Sequence, residues 1–287
     1  MIAPQRNFPP SHLFAHAVLW IGLAITAFPL YLTFVASSLT SKEIAQAPMP
    51  LWPGDQTWEN YRRVLIDGLS GSQLSPPVWI MLRNSLAMAL LIAAGKIVVS
   101  ILSAYAVVFF RFPGRMLCFW AIFITLMLPV EVRILPTYKV VTDLGLINSF
   151  TGLTLPLIAS ATATLLFRQF FLTVPDELVE AAKLDGAGPL RFFRDVVLPL
   201  SRTQIAALFV ILFVYGWNQY LWPLLMVTDN KLDTIVVGLS KMIGTGGDAT
   251  TNWNLVMASA LMALLPPVLV VVAMQRWFVR GLVESEK

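Results

Sequence analysis

Six long apolar stretches, separated by shorter polar segments, set the pattern of this 287-residue chain. A helix needs roughly 20 apolar residues to cross the hydrocarbon core of a bilayer. Backbone groups cannot stay unpaired in lipid, and these stretches are too long for barrel strands, so the pattern predicts membrane-spanning helices. The predicted spans are residues 13–35, 85–110, 117–138, 152–172, 204–227 and 255–278. We therefore predict an all-α integral membrane protein in which residues 13–287 form one six-helix domain after an N-terminal segment, 1–12.

The composition agrees with a membrane protein. Hydrophobic residues make up 57% of the chain and charged residues only 13%, about half of what a soluble domain carries. The net charge of +4 does not indicate nucleic-acid binding, because the basic residues lie singly at the ends of apolar segments. Their distribution, clearest in the basic turn from Arg111 to Arg115, predicts cytoplasmic N- and C-termini. Residues 36–80 would then form one long outer loop, either a docking surface or lid, or a simple connector.

Sequence motifs for catalysis or cofactor binding are absent. The chain has no glycine-rich phosphate loop ending in Gly-Lys-Ser/Thr, no His-Glu-x-x-His and no pair of cysteines. His12 and His16 can share a helix face, but no further ligand accompanies them, so we predict no metal site. The apolar spans are also poor in His, Cys and Asp, which excludes most intramembrane enzymes. We expect a protein without catalytic residues and without a cofactor of its own.

A charged segment, residues 173–203, separates the fourth and fifth predicted spans. Asp176 and Glu177 favour a helix N-terminus, and Gly186 provides a left-handed stop. Pro189 can begin a second short helix that Pro199 would end. The segment therefore predicts two short helices joined by a tight, alanine- and glycine-rich turn. Such a segment is either an amphipathic linker on the membrane surface or an element that inserts into a partner protein.

The same segment carries a specific spacing. Glu180-Ala181-Ala182 is followed after three residues by Gly186, after nine more by Val196, and then by Leu198-Pro199. This spacing resembles the "EAA" loop of ABC importer permeases, with Val in place of the usual Ile. The resemblance implies a MetI-like type I permease fold in a bacterial inner membrane. It also implies the ATPase-coupling residues, which are Glu180, Ala181, Ala182, Asp185, Gly186 and Pro199.

Other stretches narrow the resemblance to the carbohydrate-uptake branch of that family. Residues 123–135 (FITLMLPVEVRIL), 160–180, 215–225 (YGWNQYLWPLL) and 275–287 are similar to permease subunits of bacterial sn-glycerol-3-phosphate importers. The implied partners are a second related permease, a homodimeric ATPase that binds ATP and Mg²⁺, a periplasmic binding protein and membrane lipid. The implied cargo is sn-glycerol-3-phosphate or a glycerophosphodiester, with a neutral sugar or oligosaccharide as the alternative.

A self-sufficient secondary transporter is a further alternative. It would need coupling-ion carboxylates or broken helices near the middle of the membrane. The spans are almost free of Asp and Glu, which argues against it.

Several polar residues lie within the predicted spans and are candidates for the substrate pathway. Lys96 lies near the middle of the second span, where an ionisable group is expensive and usually functional. It could neutralise an anionic cargo, or be held by a partner helix. Asn218 and Gln219 could line the pathway or only join helices. Glu131 and Arg133, near the outer end of the third span, could form an outer gate or a simple ion pair.

Overall fold

The structure is a computed structural model that describes residues 10–68, 75–125, 128, 130–243 and 251–283, with the backbone alone at 10–13, 130–131 and 278–283. Regular structure within these residues is helical, as predicted. The α-helices are α1 Pro10–Ser38, α2 Ser41–Ile44, α3 Thr57–Arg62, α4 Val78–Phe109, α5 Arg115–Ile124, α6 Val130–Asp143, α7 Phe150–Thr154, α8 Ala161–Phe171, α9 Asp176–Leu184, α10 Pro189–Phe192, α11 Leu198–Leu200, α12 Arg202–Trp217, α13 Leu221–Met226, α14 Ile235–Ile243 and α15 Trp253–Val283. Short π-helical turns cover Arg63–Asp67 and Phe193–Val197, and 3-10 turns cover Leu155–Leu157 and Asn230–Leu232.

Three helices have the length and hydropathy to cross a membrane, namely Phe14–Ser38, Val78–Phe109 and Trp253–Trp277. Two bent pairs qualify if each counts as one span. Phe150–Leu157 joins Ala161–Phe171 at 47°, and Pro189–Leu200 joins Arg202–Trp217 at 71°. The described residues thus provide three to five spans, and the count of six stays a prediction.

Three predicted spans are not continuous helices: 152–172 is the bent pair that breaks at residues 158–160, and two more are interrupted. In place of 117–138, α5 ends at Ile124 and α6 begins at Val130, because Pro129 disfavours helical backbone at the residue before it. In place of 204–227, α12 ends at Trp217 and α13 begins at Leu221. Pro223 explains this second break, since its ring would clash with the carbonyl of residue 219 in an unbroken helix.

The chain divides into two compact units, residues 1–77 with 241–262 and residues 78–240 with 263–287. In the larger unit α4 packs against α12 and α8. Small residues allow this close approach, because a Cβ on Gly216 would lie 2.9 Å from Ala89 Cα. One face of α4 is therefore the centre of the larger unit.

Polar side chains at the start of α4 hold the segment before α14. Asn84 Nδ2 donates to the carbonyls of Lys231 and Asp233, at 2.9 and 3.0 Å. Ser85 Oγ accepts from the backbone N–H of Ile235 at 2.8 Å. These bonds satisfy buried backbone groups that would otherwise stay unpaired in an apolar environment.

In the smaller unit, the segment after α1 folds back onto the end of that helix. Buried Asn60 donates to the carbonyls of Ser37 and Leu39, both at 2.9 Å, and accepts from Asn254 Nδ2 at 3.0 Å. The predicted outer loop 36–80 is therefore packed against the chain over part of its length. By contrast, only 6% of the most apolar part of α1 is buried within the chain, so its surface must face lipid or another protein.

Candidate functional site

The charged segment 173–203 folds as a helical hairpin, as its local sequence predicts. Helix α9 ends at Leu184, and Gly186 follows in the left-handed region at φ 69°. The N–H groups of Gly186 and Ala187 donate to the carbonyls of Lys183 and Ala182, at 3.0 and 2.9 Å. This pair of bonds is the Schellman motif that terminates helices at glycine. The turn is thus fixed by backbone chemistry and needs no support from neighbouring elements.

The first helix of this hairpin presents its side chains outward. None of its residues is buried, and Glu180, Ala181 and Asp185 are exposed while Ala182 is half-buried. Among the described residues the structure records no ion pair of Glu180. The Glu180 carboxylate is therefore available to a group outside the chain.

Two leucines at the bend of the hairpin were missed by the sequence reasoning. The side chains of Leu184 and Leu190 are 89% and 80% exposed, on either side of the turn at Gly186. Exposed leucines usually need no explanation when they lie singly, but here two flank one turn between charged helices. The available signal was their position immediately beside the predicted stop and restart of the helix.

The second helix of the hairpin is anchored on α4. Tyr105 Oη donates to the carbonyl of Pro189 at 2.7 Å. Phe192 is buried, with its ring centroid 5.3 Å from that of Phe109 and 6.4 Å from that of Tyr105. Phe193 also contacts Tyr105, at 5.0 Å between ring centroids. The hairpin therefore has one free helix and one helix packed onto the end of α4.

Pro199 does not end the second helix, contrary to the prediction. The helical path continues from the π-helical turn Phe193–Val197 through Pro199 to Leu200, and the chain bends at Ser201. A π-helical turn accommodates the proline, because Pro199 has no N–H and its ring opposes the carbonyl four residues earlier. The structure thus places the end of the second helix one residue after Pro199, at Leu200.

A small charge cluster occupies the outer side of the second helix. Arg194 Nε lies 2.7 Å from Asp195 Oδ1, and Arg191 Nε lies 3.5 Å from Asp195 Oδ2. The hydrogen bond from Arg194 lowers the pKa of the Asp195 carboxyl and raises the pKa of the Arg194 guanidinium. Both arginines are largely exposed, so these pairs contribute little to stability.

A cavity of about 470 Å³ within the larger unit is lined by residues from five helices, with Ile122 of α5 among them. Lys96 of α4, Arg133 of α6, the first turn of α8 and Tyr215 of α12 line it. Lys96 is 7% exposed, and its Nζ lies 3.7 Å from the centroid of the Tyr215 ring. Glu131 and Arg133 were predicted to form an outer gate or a simple ion pair. Arg133 lines the same cavity as Lys96, and the Glu131 side chain lies outside the described residues, so both alternatives stay predictions.

The remaining pathway candidates are placed differently from the prediction. Asn218 and Gln219 do not lie deep in a continuous span but in the break between α12 and α13. Asn218 is exposed and follows the last turn of α12, where its N–H donates to Val214. Gln219 Nε2 donates to the carbonyl of Tyr215 at 3.2 Å. Neither residue is among those that line the cavity.

Comparisons with known proteins agree with this architecture. Residues 85–284 match the family described as "Binding-protein-dependent transport system inner membrane component". The chain is 61% identical to the sn-glycerol-3-phosphate transport system permease protein UgpE of Brucella melitensis, over 97% of this chain and 98% of that protein. It is 62% identical to the UgpE of Rhizobium meliloti, with the same coverage.

A solved structure shares the fold. It is the crystal structure of a bacterial ABC transporter involved in the import of the acidic polysaccharide alginate, with a TM-score of 0.80 over 97% of this chain and 100% of that chain. The sequences are 21% identical, so this likeness concerns the fold alone. The matching family and the relatives of about 61% identity show that the chain belongs to the inner membrane components of binding-protein-dependent transport systems, the permease subunits of ABC importers.

Proposed function

We propose that this chain is a permease subunit that carries sn-glycerol-3-phosphate, or a glycerophosphodiester, into the cytoplasm. The support for the cargo is the name shared by relatives that are 59 to 62% identical over almost the whole chain. In this proposal the chain is not itself an enzyme. A partner ATPase binds ATP and Mg²⁺ and hydrolyses the nucleotide, a second permease completes the pathway, and a periplasmic protein delivers the cargo.

The coupling role is supported by the hairpin, which runs from α9 to α11. Its first helix, α9, buries none of its residues, although backbone hydrogen bonds fix the turn that follows it. A helix of nine residues is too short to be stable by itself in water, so a surface that covers it would contribute to its stability. We assign that surface to the ATPase, with Glu180 as a polar contact, Ala181 and Ala182 as close-packing residues, and Leu184 and Leu190 as apolar contacts.

The anchored helix gives the proposed coupling a physical route. A displacement of the hairpin would act on α4 through the Tyr105–Pro189 hydrogen bond and the ring of Phe192. Nucleotide binding by the ATPase then favours one conformation of the permease to the extent that the ATPase binds that conformation more tightly. This arrangement requires the hairpin to lie on the cytoplasmic side, and with the six predicted spans both chain termini lie there as well.

Reconstitution tests the proposal. The chain, its sister permease, the ATPase and the binding protein are assembled in proteoliposomes, and uptake of labelled sn-glycerol-3-phosphate is compared with uptake of labelled maltose. We expect uptake of sn-glycerol-3-phosphate that requires ATP on the hairpin side. Maltose uptake without sn-glycerol-3-phosphate uptake would contradict the cargo.

The coupling role is tested with a matched pair of variants on one helix. Glu180→Gln removes a charge at the proposed contact, and Glu177→Gln removes the same charge one turn earlier. A hydrogen bond to a charged group contributes about 1.5–3 kcal/mol, so we expect Glu180→Gln to reduce cargo-stimulated ATP hydrolysis about tenfold or more. Glu177→Gln should stay near wild type. Equal effects of the two variants would contradict a specific contact at Glu180.

A further inference from the structure

We propose that the cavity between Lys96, Arg133 and the first turn of α8 is a binding site for a phosphate group. The identification of that group as the phosphate of the cargo rests on the proposed function. Recognition of a phosphate there rests on the geometry alone. The site combines a buried cation, a helix N-terminus and a close helix contact that brings the two together.

Lys96 is a buried charge that lacks an anionic partner in the described part of the chain. It is 7% exposed and lies near the middle of α4, about 27 Å from one end and 20 Å from the other. Its recorded contact is the face of the Tyr215 ring, which attracts the ammonium but carries no net negative charge to neutralise it. Among the described residues that line the cavity there is no Asp or Glu. An ammonium at this depth without an anion is costly, so its position indicates an external ligand.

The N-terminus of α8 adds hydrogen-bond donors at the same place. This helix has 11 residues and begins at the break of its bent span, beside the cavity. Ser160 Oγ accepts from Ala163 N–H, while the N–H groups of Ala161 and Thr162 have no acceptor within the helix. Such an end carries roughly half a positive charge and binds anions. Broken spans whose half-helix N-termini face a polar cavity are a recurrent way to hold anionic cargo in membranes.

Two contacts hold that N-terminus against α4 next to Lys96. Ser100 Oγ donates to the carbonyl of Ser160 at 3.1 Å. A Cβ on Gly95 would lie 2.6 Å from Ile158 Cγ2, so only glycine at this position lets the break approach α4 so closely. The residue that precedes Lys96 thus sets the distance between the lysine and the helix end.

Charge and size both fit a phosphate monoester. Lys96, Arg133 and the end of α8 together present a little more than two positive charges, and a phosphate monoester carries about −1.5 to −2 at pH 7. The cavity volume of about 470 Å³ lies within the range of small-ligand sites. Arg133 lies on an exposed part of α6, so this side of the cavity is open while the lysine side is closed.

Cysteine protection tests the site without transport. Thr162→Cys, in a Cys118→Ser background, places a thiol on a part of the cavity wall that is exposed in this chain, and the variant is studied in the assembled complex. We measure its rate of reaction with a small methanethiosulfonate reagent in the presence of inorganic phosphate, sn-glycerol-3-phosphate or glycerol. We expect both phosphates to slow labelling severalfold and glycerol to have no effect. Protection should be lost in Lys96→Met and Arg133→Gln, and kept in Lys139→Gln, which removes an exposed charge from the same helix as Arg133.

The outcomes separate this inference from the proposed function. Labelling that is equally fast with and without phosphate, or protection that survives Lys96→Met, overturns the phosphate site. Protection by phosphate in a complex that takes up no sn-glycerol-3-phosphate supports the site and contradicts the proposed cargo. Protection that appears only in phosphatidylglycerol vesicles, and not in detergent with added phosphate, would identify a lipid headgroup and overturn the assignment to cargo. A third result would also overturn the phosphate site: assembly fails with Lys96→Met but not with Lys96→Arg, and phosphate protects neither the wild type nor Lys96→Arg. The lysine would then belong to a contact between subunits.

Discussion

The hydroxyl of Tyr105 donates a hydrogen bond of 2.7 Å to the carbonyl of Pro189, and so joins α4 to the first residue of the second hairpin helix. Because α4 is one continuous helix, Tyr105 lies about 14 Å along its axis from Lys96. The same rigid element therefore contacts the proposed ATPase-coupling hairpin near one end and lines the proposed phosphate site near its middle. A movement of the hairpin that displaces α4 would also displace Lys96 relative to α8.

Removal of this hydrogen bond should weaken the coupling without removing the aromatic packing. Tyr105→Phe keeps the ring but leaves the Pro189 carbonyl without this donor, at a cost of about 1 kcal/mol. We expect severalfold less cargo uptake per ATP hydrolysed, with normal assembly of the complex. The control is Tyr220→Phe, which removes a hydroxyl bonded to Ser240 elsewhere in the larger unit. A wild-type ratio of uptake to hydrolysis in Tyr105→Phe would argue against the proposed route.

Two neighbouring side chains of the second hairpin helix should respond in opposite ways. Phe192 is buried against Tyr105 and Phe109, whereas the side chain of Leu190 is 80% exposed. Phe192→Ala should destabilise the larger unit by about 3–5 kcal/mol, measured as a lower melting temperature of the isolated permease pair. Leu190→Ala should leave that temperature unchanged but weaken binding of the purified ATPase. If Leu190→Ala lowers the melting temperature and binds the ATPase normally, the leucine is a structural residue and not a contact.

The turn of the hairpin allows a test with two glycines. Gly186 has φ 69°, where a side chain is strained, whereas Gly188 has φ −71° and an open environment. Gly186→Ala should cost about 1 kcal/mol or slightly more and reduce cargo-stimulated ATP hydrolysis, because the Schellman turn no longer fixes the direction of α9. Gly188→Ala should behave as wild type. Equal loss in both variants would indicate that the space beside the turn matters, and not its conformation.

The hairpin could be predicted from sequence because its determinants are local. Gly186 terminates a helix through bonds to residues three to five positions away, and Pro189 restarts one through its own fixed φ. Pro199 was predicted wrongly because a π-helical turn, which depends on packing of the preceding residues, carries the helix past it. Local rules thus gave the shape of the hairpin but not its last turn.

The cavity could not be predicted because its parts come from distant segments. Hydropathy identified the span that contains Lys96, but it is insensitive to the breaks at 158–160 and 218–220, which leave the average composition unchanged. Pro156 and Pro223 carried the local signal for those breaks. Arg133 and Lys96 line the same cavity because of how α6 packs in the larger unit, and a single sequence does not predict that packing.

The close contact between Gly95 and Ile158 leads to a prediction about the position of α8. Gly95→Ala would place a Cβ 2.6 Å from Ile158 Cγ2, and a β-branched side chain cannot easily move aside. We expect the break at 158–160 to move away from α4, at a cost of about 1–3 kcal/mol, with lower cargo uptake because the α8 N-terminus moves away from Lys96. Melting temperature and uptake are measured together. Gly22→Ala, on a helix position with nothing within 4 Å, is the control and should not reduce either quantity.

A second substitution distinguishes this steric cause from a general loss of helix packing. Ile158→Ala removes Cγ2, the nearest carbon that the new Cβ would meet, and leaves the Cβ of residue 158 at 3.0 Å. Gly95→Ala combined with Ile158→Ala should therefore be closer to wild type than the sum of the two single effects. The coupling free energy between the two changes should be stabilising, because Ile158→Ala vacates the space that the new Cβ of Gly95→Ala fills. Additive losses in the double variant would mean that the two residues do not set the distance between α4 and the break, and that Gly95 serves another purpose in α4.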